Sequence, residues 1–421
     1  MLEVLGALVC IVAMTRGKVA FSLMVLTMYY YTNWFFGVNT SNLVFYHNLS
    51  DVGNTLCLFI VFALGLRKYD NGVRVKGIKK GLAVFAIFFL LGIVVDLAVN
   101  HTPFVSVFKA VRSWIPLTLL LVCHKIKPEE GYRYFQYLII LTFCFSALFI
   151  FEYITDTTLT GAVRTRGGER ASLPWPVAVL VFSFFLYGRM GFTRKFRVLF
   201  LIVLFLNLVA CGSRSFFISY VVMFLLYYVS GSMTIKKALL LVVVAIGMVA
   251  VFSTDNILSK RFSESKDDIA SIRSGDDEVN GNLSFRLLLT QERLAYVSQS
   301  VQYAAFGIGQ VEERNLKTQI FSIGLPNESG GVTQLDTGDI AWAIAFLRWG
   351  IVGTILYVIA YYLRFVLYFQ RRKSQFMARC LSFYLIVELF FVSFTYPEIT
   401  QSFFWIPPII GLACVDSEVK V

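Results

Sequence analysis

Runs of about 15–20 apolar residues recur along the whole of this chain, from Leu2–Met14 at one end to 402–415 at the other. Each is about the length of a helix that crosses the hydrocarbon core of a bilayer, and a soluble domain has no interior large enough to hide so many. A transmembrane β-barrel would instead show segments of about ten residues that alternate in character, and the sequence has none. Hydrophobic residues make up 57% of the chain and the mean hydropathy is +0.70, too apolar for a soluble globular protein. The pattern predicts an all-α polytopic membrane protein of about 13 (12–14) transmembrane helices. These lie near 2–14, 19–36, 52–66, 81–99, 104–123, 134–154, 173–188, 198–211, 216–229, 238–253, 339–363, 375–393 and 402–415. The first run has no small-residue cleavage site after it, and Arg16 and Lys18 follow it rather than precede it, so it reads as a short span and not a signal peptide.

Positive charge orients the spans. Loop 67–80 carries Arg67, Lys68, Arg74, Lys76, Lys79 and Lys80; loop 189–197 carries Arg189, Arg194, Lys195 and Arg197; loop 364–373 carries Arg364, Arg371, Arg372 and Lys373; Lys236 and Lys237 mark another turn. All fall on one side, expected to be cytoplasmic, together with the C-terminus. The net charge of +12 is held in these short loops, so it does not point to nucleic acid. The seven cysteines lie in or at the edges of apolar runs, where Cys behaves as a small hydrophobe, and none is spaced for a zinc site or a disulfide framework.

One long polar stretch interrupts the pattern. Residues 253–338 hold eight Lys/Arg and twelve Asp/Glu, so the segment is acidic within a basic chain. The orientation places it outside, as a large, mostly helical extracytoplasmic loop capping a membrane-embedded site. No soluble domain flanks it, so residues 1–421 form a single membrane domain with one inserted loop.

Basic residues on the outer side are exceptions to the rule, and all four are arginines. Arg164, Arg166 and Arg170 lie in loop 155–172, and Arg214 lies in the turn Cys211-Gly212-Ser213-Arg214-Ser215. A guanidinium stays charged, is weakly hydrated, and presents a planar fork that matches phosphate oxygens. Arginines at an outer membrane boundary point to a lipid-linked phosphate or pyrophosphate ligand, against the plainer reading of anionic headgroups or the acidic loop as partners. Arg214 sits between two apolar runs, where an ionisable group is costly and usually functional, and its flanking serines are suited to cap the returning helix.

Inside the loop, Asn282–Arg293 reads as a helix start with Ser284 as N-cap, continuing to about Tyr303 and ending at Phe306-Gly307-Ile308-Gly309. Arg286 and Arg293 are seven apart and share a face, which is expected to look towards the membrane site. Asp336 and Asp339 stand where the loop re-enters the membrane. Partial burial would raise either towards the range of a general base, while a helix-terminal acid favoured by the dipole is the plainer role for Asp339. Asp96, Glu152 and Glu388 lie within apolar runs.

The Gly-Ser-Arg-Ser turn, the Arg/Gly/Pro segment from Arg164 to Pro176 and the single large late loop resemble the O-antigen polymerase (Wzy) and O-antigen ligase superfamily. So do Ser284-Phe285-Arg286, Phe306-Gly307-Ile308-Gly309, Asp339-Ile340-Ala341-Trp342 and Trp349–Gly353, and Arg293 and Gly309 have the Arg-x15-Gly spacing of some polymerase loops. The resemblance implies a glycosyltransferase of the bacterial cytoplasmic membrane that needs no metal or cofactor. It would act at the outer face on undecaprenyl-pyrophosphate-linked oligosaccharide, with membrane lipid, a chain-length regulator and a flippase as partners. Arg214 and Arg286 would stabilise the departing pyrophosphate, Arg164, Arg166, Arg170 and Arg293 would bind substrate, and Asp336 or Asp339 would act as base. Ligases typically carry a loop histidine and this loop has none, which favours a polymerase of O-antigen, capsule or related polysaccharide. The alternatives are a ligase-type transferase to another acceptor and a lipid-linked oligosaccharide flippase or other transporter.

Overall fold

The computed structural model describes residues 2–31, 49–73, 75–99, 101–155, 164–165, 170–171, 178–188, 190–211, 213–230, 282–309, 320–324, 332, 334–335, 340–396 and 398–415, with isolated positions between 234 and 253. Among these residues the fold is helical. Its one β feature is a two-residue antiparallel ladder, β1 (Arg164–Thr165) against β2 (Arg170–Ala171). The helices are α1 (Leu2–Thr15), α2 (Val19–Tyr31), α3 (Leu49–Gly65), α4 (Lys76–Ala98), α5 (Phe104–Val111), α6 (Leu119–Val122), α7 (Pro128–Thr155), α8 (Ala178–Leu186), α9 (Arg194–Cys211) and α10 (Arg214–Val229). After a gap follow α11 (Asn282–Val297), α12 (Val301–Phe306), α13 (Ala341–Leu356), α14 (Leu363–Gln370), α15 (Phe376–Phe390) and α16 (Ile406–Val415).

Four stretches are long and apolar enough to cross a membrane: Lys76–Ala98, Pro128–Thr155, Ala341–Gln370 and Phe376–Phe394. Shorter apolar helices lie at Leu5–Thr15, Val19–Tyr30, Val52–Gly65, Arg214–Val229 and Ser402–Val415. The apolar window of α4 is only 17% buried, and Val84, Ile87, Leu90, Leu91 and Val94 face outwards, whereas the window that includes α15 is 78% buried. An apolar face of that size is incompatible with water and natural against lipid, so α4 is peripheral and α15 central.

Two expected spans are differently built. The run at 104–123 is not one helix: α5 gives way to a 3₁₀ segment, Arg112–Thr118, and only then to α6. Pro116 lies inside that segment, and proline has no N–H to continue an α-helical ladder. The run at 339–363 is broken at Gly350, which adopts φ 69° and ψ −178°. The remaining stretch, Ile351 to Gln370, is about 30 Å long at 1.5 Å per residue, a membrane thickness on its own. It includes a π-helical segment, Tyr357–Tyr362. Arg364, read from sequence as a loop residue, therefore lies in α14, and the turn shrinks to 371–375.

The basic loops collect at one end of the bundle. Arg67 makes two 2.8 Å bonds to Glu130 at the head of α7, and Asn71 bonds to the His124 and Ile126 carbonyls. The Lys127 N–H donates to Glu130 Oε2 (2.8 Å), closing the first turn of α7 behind Pro128. On the neighbouring helices Gln136 donates to the Met190 carbonyl (3.1 Å), Arg197 donates to the Gly188 carbonyl (3.0 Å), and Arg379 lies over the Tyr187 ring. Cys414 of α16 packs against the same head of α7.

The centre is aromatic. Phe85, Trp114 and Trp349 are mutually packed with centroids 5.5–5.8 Å apart, and Tyr361 and Trp405 follow at 4.7 Å. Each such pair contributes about 0.5–1.5 kcal/mol beyond burial. Trp405 Nε1 donates to the Tyr357 hydroxyl (3.1 Å), and that hydroxyl donates to the Ile399 carbonyl, whereas Trp349 Nε1 and the Tyr361 hydroxyl are buried without a hydrogen-bond partner.

Candidate functional site

The end opposite the basic loops holds the polar residues that a membrane bundle does not need for packing. Ser213 is the N-cap of α10, with φ −82° and ψ 109°, and its hydroxyl accepts the Phe216 N–H. Arg214 is the first helical residue and is partly exposed. Ser213 Oγ also lies 3.1 Å from Ser215 Oγ and 3.3 Å from the Tyr396 hydroxyl, while the Tyr396 ring stacks on Phe216 at 5.1 Å. The turn therefore puts a guanidinium at one helix N-terminus, where the helix dipole also suits an anionic group.

Tyr396 belongs to an irregular segment between α15 and α16, made of short 3₁₀ turns at Val392–Phe394, Glu398–Thr400 and Ser402–Trp405. Ser393, at its start, accepts a 2.9 Å bond from Trp342 Nε1. Trp342 sits on α13 and packs with Phe285, Leu289, Ile340 and Ala343. Phe285 adjoins Arg286 on α11, so Arg286 and Arg214 are carried by elements joined through Trp342, Ser393 and Tyr396.

Arg286 is partly exposed, and its carbonyl accepts the Thr290 hydroxyl (2.9 Å). Arg293 shares its face but is fully enclosed. Its guanidinium bonds to Glu292 (2.7 Å) and to the Ile323 and Gln334 carbonyls, and lies 4.4 Å from the centroid of Phe321. Glu292 in turn accepts the Ser322 and Ile323 N–H groups. Gln334 closes the same unit, with Oε1 accepting the Ile320 and Phe321 N–H groups at 2.7 Å. Arg293 thus knits the loop together from inside, which differs from the substrate-facing position expected from its spacing with Arg286.

The backbone of Arg164 pairs with Ala171, and Arg170 with Thr165, in a ladder whose second strand lies beside α9. Arg166, Asp336 and Asp339 lie outside the described residues, as do Arg74, Arg189, Lys236, Lys237 and most of 253–281.

The loop is locked to the membrane helices by a backbone crossing. The Ile308 N–H donates to the Leu347 carbonyl (2.8 Å), and Phe306 stacks on Phe88 at 5.2 Å. At the crossing a Cβ on Gly307 would lie 2.7 Å from Gly350 N, and one on Gly350 would lie 2.7 Å from the carbonyl oxygens of Ala304 and Ala305. Both glycines have φ of 69° with extended ψ, a region closed to other residues. Gly309 then rests against the carboxylate of Asp96, which is buried at the end of α4.

Two further acids occupy this end. Glu388 on α15 is wholly buried, and neither carboxylate oxygen has a hydrogen-bond partner. Glu398 lies within its electrostatic reach. Glu398 is partly exposed as a residue, but its Oε2 is enclosed and unpartnered. Burial pushes the Glu398 carboxyl up to about 7, against the opposing pull of its own backbone N–H. The sequence reading noted Glu388 only as a residue out of place and missed Glu398. The available signal was Tyr396-Pro397-Glu398, an acid beside a proline inside an otherwise apolar stretch.

Among the described residues no group of three His, Cys, Asp or Glu side chains is arranged to hold a metal ion. No protein-family model matches the chain, and no curated protein matches it significantly.

Proposed function

We propose that this protein is a polysaccharide polymerase of the bacterial cytoplasmic membrane, transferring a growing glycan from undecaprenyl pyrophosphate to a lipid-linked repeat unit. The observation that carries the reading is Arg214 at the capped N-terminus of α10, at the end of the bundle away from the basic loops. By the positive-inside rule the basic end is cytoplasmic, so the Arg214 turn and the α11–α12 loop face outwards and α16 ends inside. In the reaction the acceptor hydroxyl attacks the anomeric carbon and undecaprenyl pyrophosphate leaves with the bonding electron pair. The guanidinium of Arg214 and the α10 N–H groups are placed in advance of the charge on that leaving group, the condition under which electrostatic stabilisation is most effective. Arg286 is the second candidate for the same role, Arg164, Arg166 and Arg170 are candidates for recruiting donor, and Arg293 acts by holding the loop. Asp336 and Asp339 are the bases that the family resemblance suggests, and both lie outside the described residues.

The test is elongation by the purified protein in liposomes, using the lipid-linked repeat unit extracted from cells that lack this gene. Wild type is expected to produce a ladder of chain lengths. Arg214→Ala is expected to lower the rate by about 10²–10³, the usual result of removing one stabilising donor. Transfer only when lipid A core is supplied identifies a ligase. A donor that crosses the bilayer without elongation identifies a flippase, the second reading, which the buried carboxyl of Glu388 favours because proton-coupled transporters carry such groups.

A further inference from the structure

Glu388 and Glu398 are not accounted for by the roles above. Stability does not explain them: a buried carboxylate without a hydrogen bond costs several kcal/mol, and an apolar residue of similar size would pack better. Both have unpartnered oxygens; Glu388 stands near the end of α15, and Glu398 in the 3₁₀ turn Glu398–Thr400, outside regular helix. The segment carrying Glu398 is irregular, a series of 3₁₀ turns between α15 and α16. A π-helical turn, a feature frequent at functional sites, faces it: Tyr357 donates to the Ile399 carbonyl, next to Glu398, and Tyr362, within electrostatic reach of Glu388, donates to the Leu385 carbonyl (2.8 Å). The Tyr396 hydroxyl, two residues before Glu398, reaches the Ser213 cap of the Arg214 helix.

We propose that Glu398, backed by the buried carboxyl of Glu388, is the general base of this site and takes the proton of the acceptor hydroxyl beside the Arg214 turn. This rests on the polymerase reading. The acceptor O–H bond breaks as its oxygen bonds to the anomeric carbon; the proton passes to the Glu398 carboxylate, and the glycosidic electron pair leaves on the pyrophosphate. Glu388 is a positioning residue: it touches no substrate and acts through Glu398. The charged or titratable groups on the elements packed around Glu398 are Glu388 on α15, Arg348 on α13, Tyr357, Tyr361 and Tyr362 on the π segment, Arg214 on α10 and Arg112 at the head of the 3₁₀ segment against Ser402–Trp405.

The test uses the same liposome assay across pH 5–9. Wild type should show a rate that rises with pH through a midpoint near that of Glu398, about 7. Glu398→Gln should lower the maximal rate by about 10²–10³, the range of general-base catalysis, with the KM for donor within about threefold of wild type. The limb near neutrality should vanish. Glu398→Asp, which keeps a carboxylate, should restore the limb with a reduced rate. Those results support the assignment, and the retained KM shows that Glu398→Gln is folded. If wild type elongates and Glu398→Gln does so within about threefold with its limb intact, the polymerase reading stands and the assignment of Glu398 falls. If Glu398→Asp is as inactive as Glu398→Gln and both lose donor binding, Glu398 is a structural residue and the assignment falls. If wild type builds no polymer, both readings fall.

Discussion

Gly350→Ala tests the crossing between the loop and the membrane helices. The added Cβ would sit 2.7 Å from two backbone carbonyl oxygens of α12, and backbone cannot swing aside as a flexible side chain can. Two costs add. Forcing a β-carbon into this region of φ and ψ costs about 1–3 kcal/mol, and overpacking costs a similar amount, so the crossing is weakened by about 2–6 kcal/mol. The helices on either side retain their own contacts, so the loss should appear as local detachment of α12 rather than as global unfolding. The sensitive reporter is hydrogen exchange at the Ile308 amide, whose proton is bonded to the Leu347 carbonyl. A weakening of 2 kcal/mol accelerates exchange through that opening by about 30-fold, and larger values by more. Gly72→Ala is the control, because Gly72 also has positive φ (71°) but nothing lies within 4 Å of its added Cβ. It should cost only the conformational term, about 1–2 kcal/mol, and leave Ile308 unaffected. Exchange at Ile308 in Gly350→Ala within about threefold of wild type would refute the reasoning.

Three other outcomes are expected. Ser213→Ala removes the α10 cap and should destabilise that helix by about 1 kcal/mol, read as faster exchange of the Phe216 amide with α15 amides unchanged. Glu388→Met replaces an unpartnered buried carboxyl with an apolar chain of similar length and should stabilise the purified protein by about 1–3 kcal/mol, seen as a higher melting temperature, while lowering activity. The Glu398 carboxyl is raised in the folded state, so the folded protein binds a proton that the unfolded chain has released. Its contribution to stability is therefore full below about pH 4.5 and is lost as pH rises through about 7, and Glu398→Gln should flatten that part of the melting-temperature profile.

What could be read from the chain depended on how local the cause was. The Ser213 cap is a matter of two or three neighbouring residues, and its chemistry is visible in Gly212-Ser213-Arg214-Ser215. The basic end is equally plain, because Arg67, Arg197 and Arg371 stand in short breaks between apolar runs. The glycines of Phe306-Gly307-Ile308-Gly309 and Trp349-Gly350 were conspicuous one by one, yet nothing in either motif says that they touch across 43 positions of chain. Arg293 was misplaced for a related reason: the carbonyls of Ile323 and Gln334 that enclose it come from segments without periodicity, so helical spacing alone assigned it the same surroundings as Arg286. Pro116 shows a simpler oversight, since hydropathy averages over a proline that interrupts the helix it sits in.

The Gly307–Gly350 crossing also bears on how anything reaches the polar end. Lifting α12 away from α13 would bare Val297, Ile308 and Leu347, which are buried together, and would break the Phe88–Phe306 stack. A part fastened so firmly is a fixed roof and not a hatch. On the polymerase reading proposed above, a lipid-linked substrate would then come in sideways, between helices, from the plane of the bilayer.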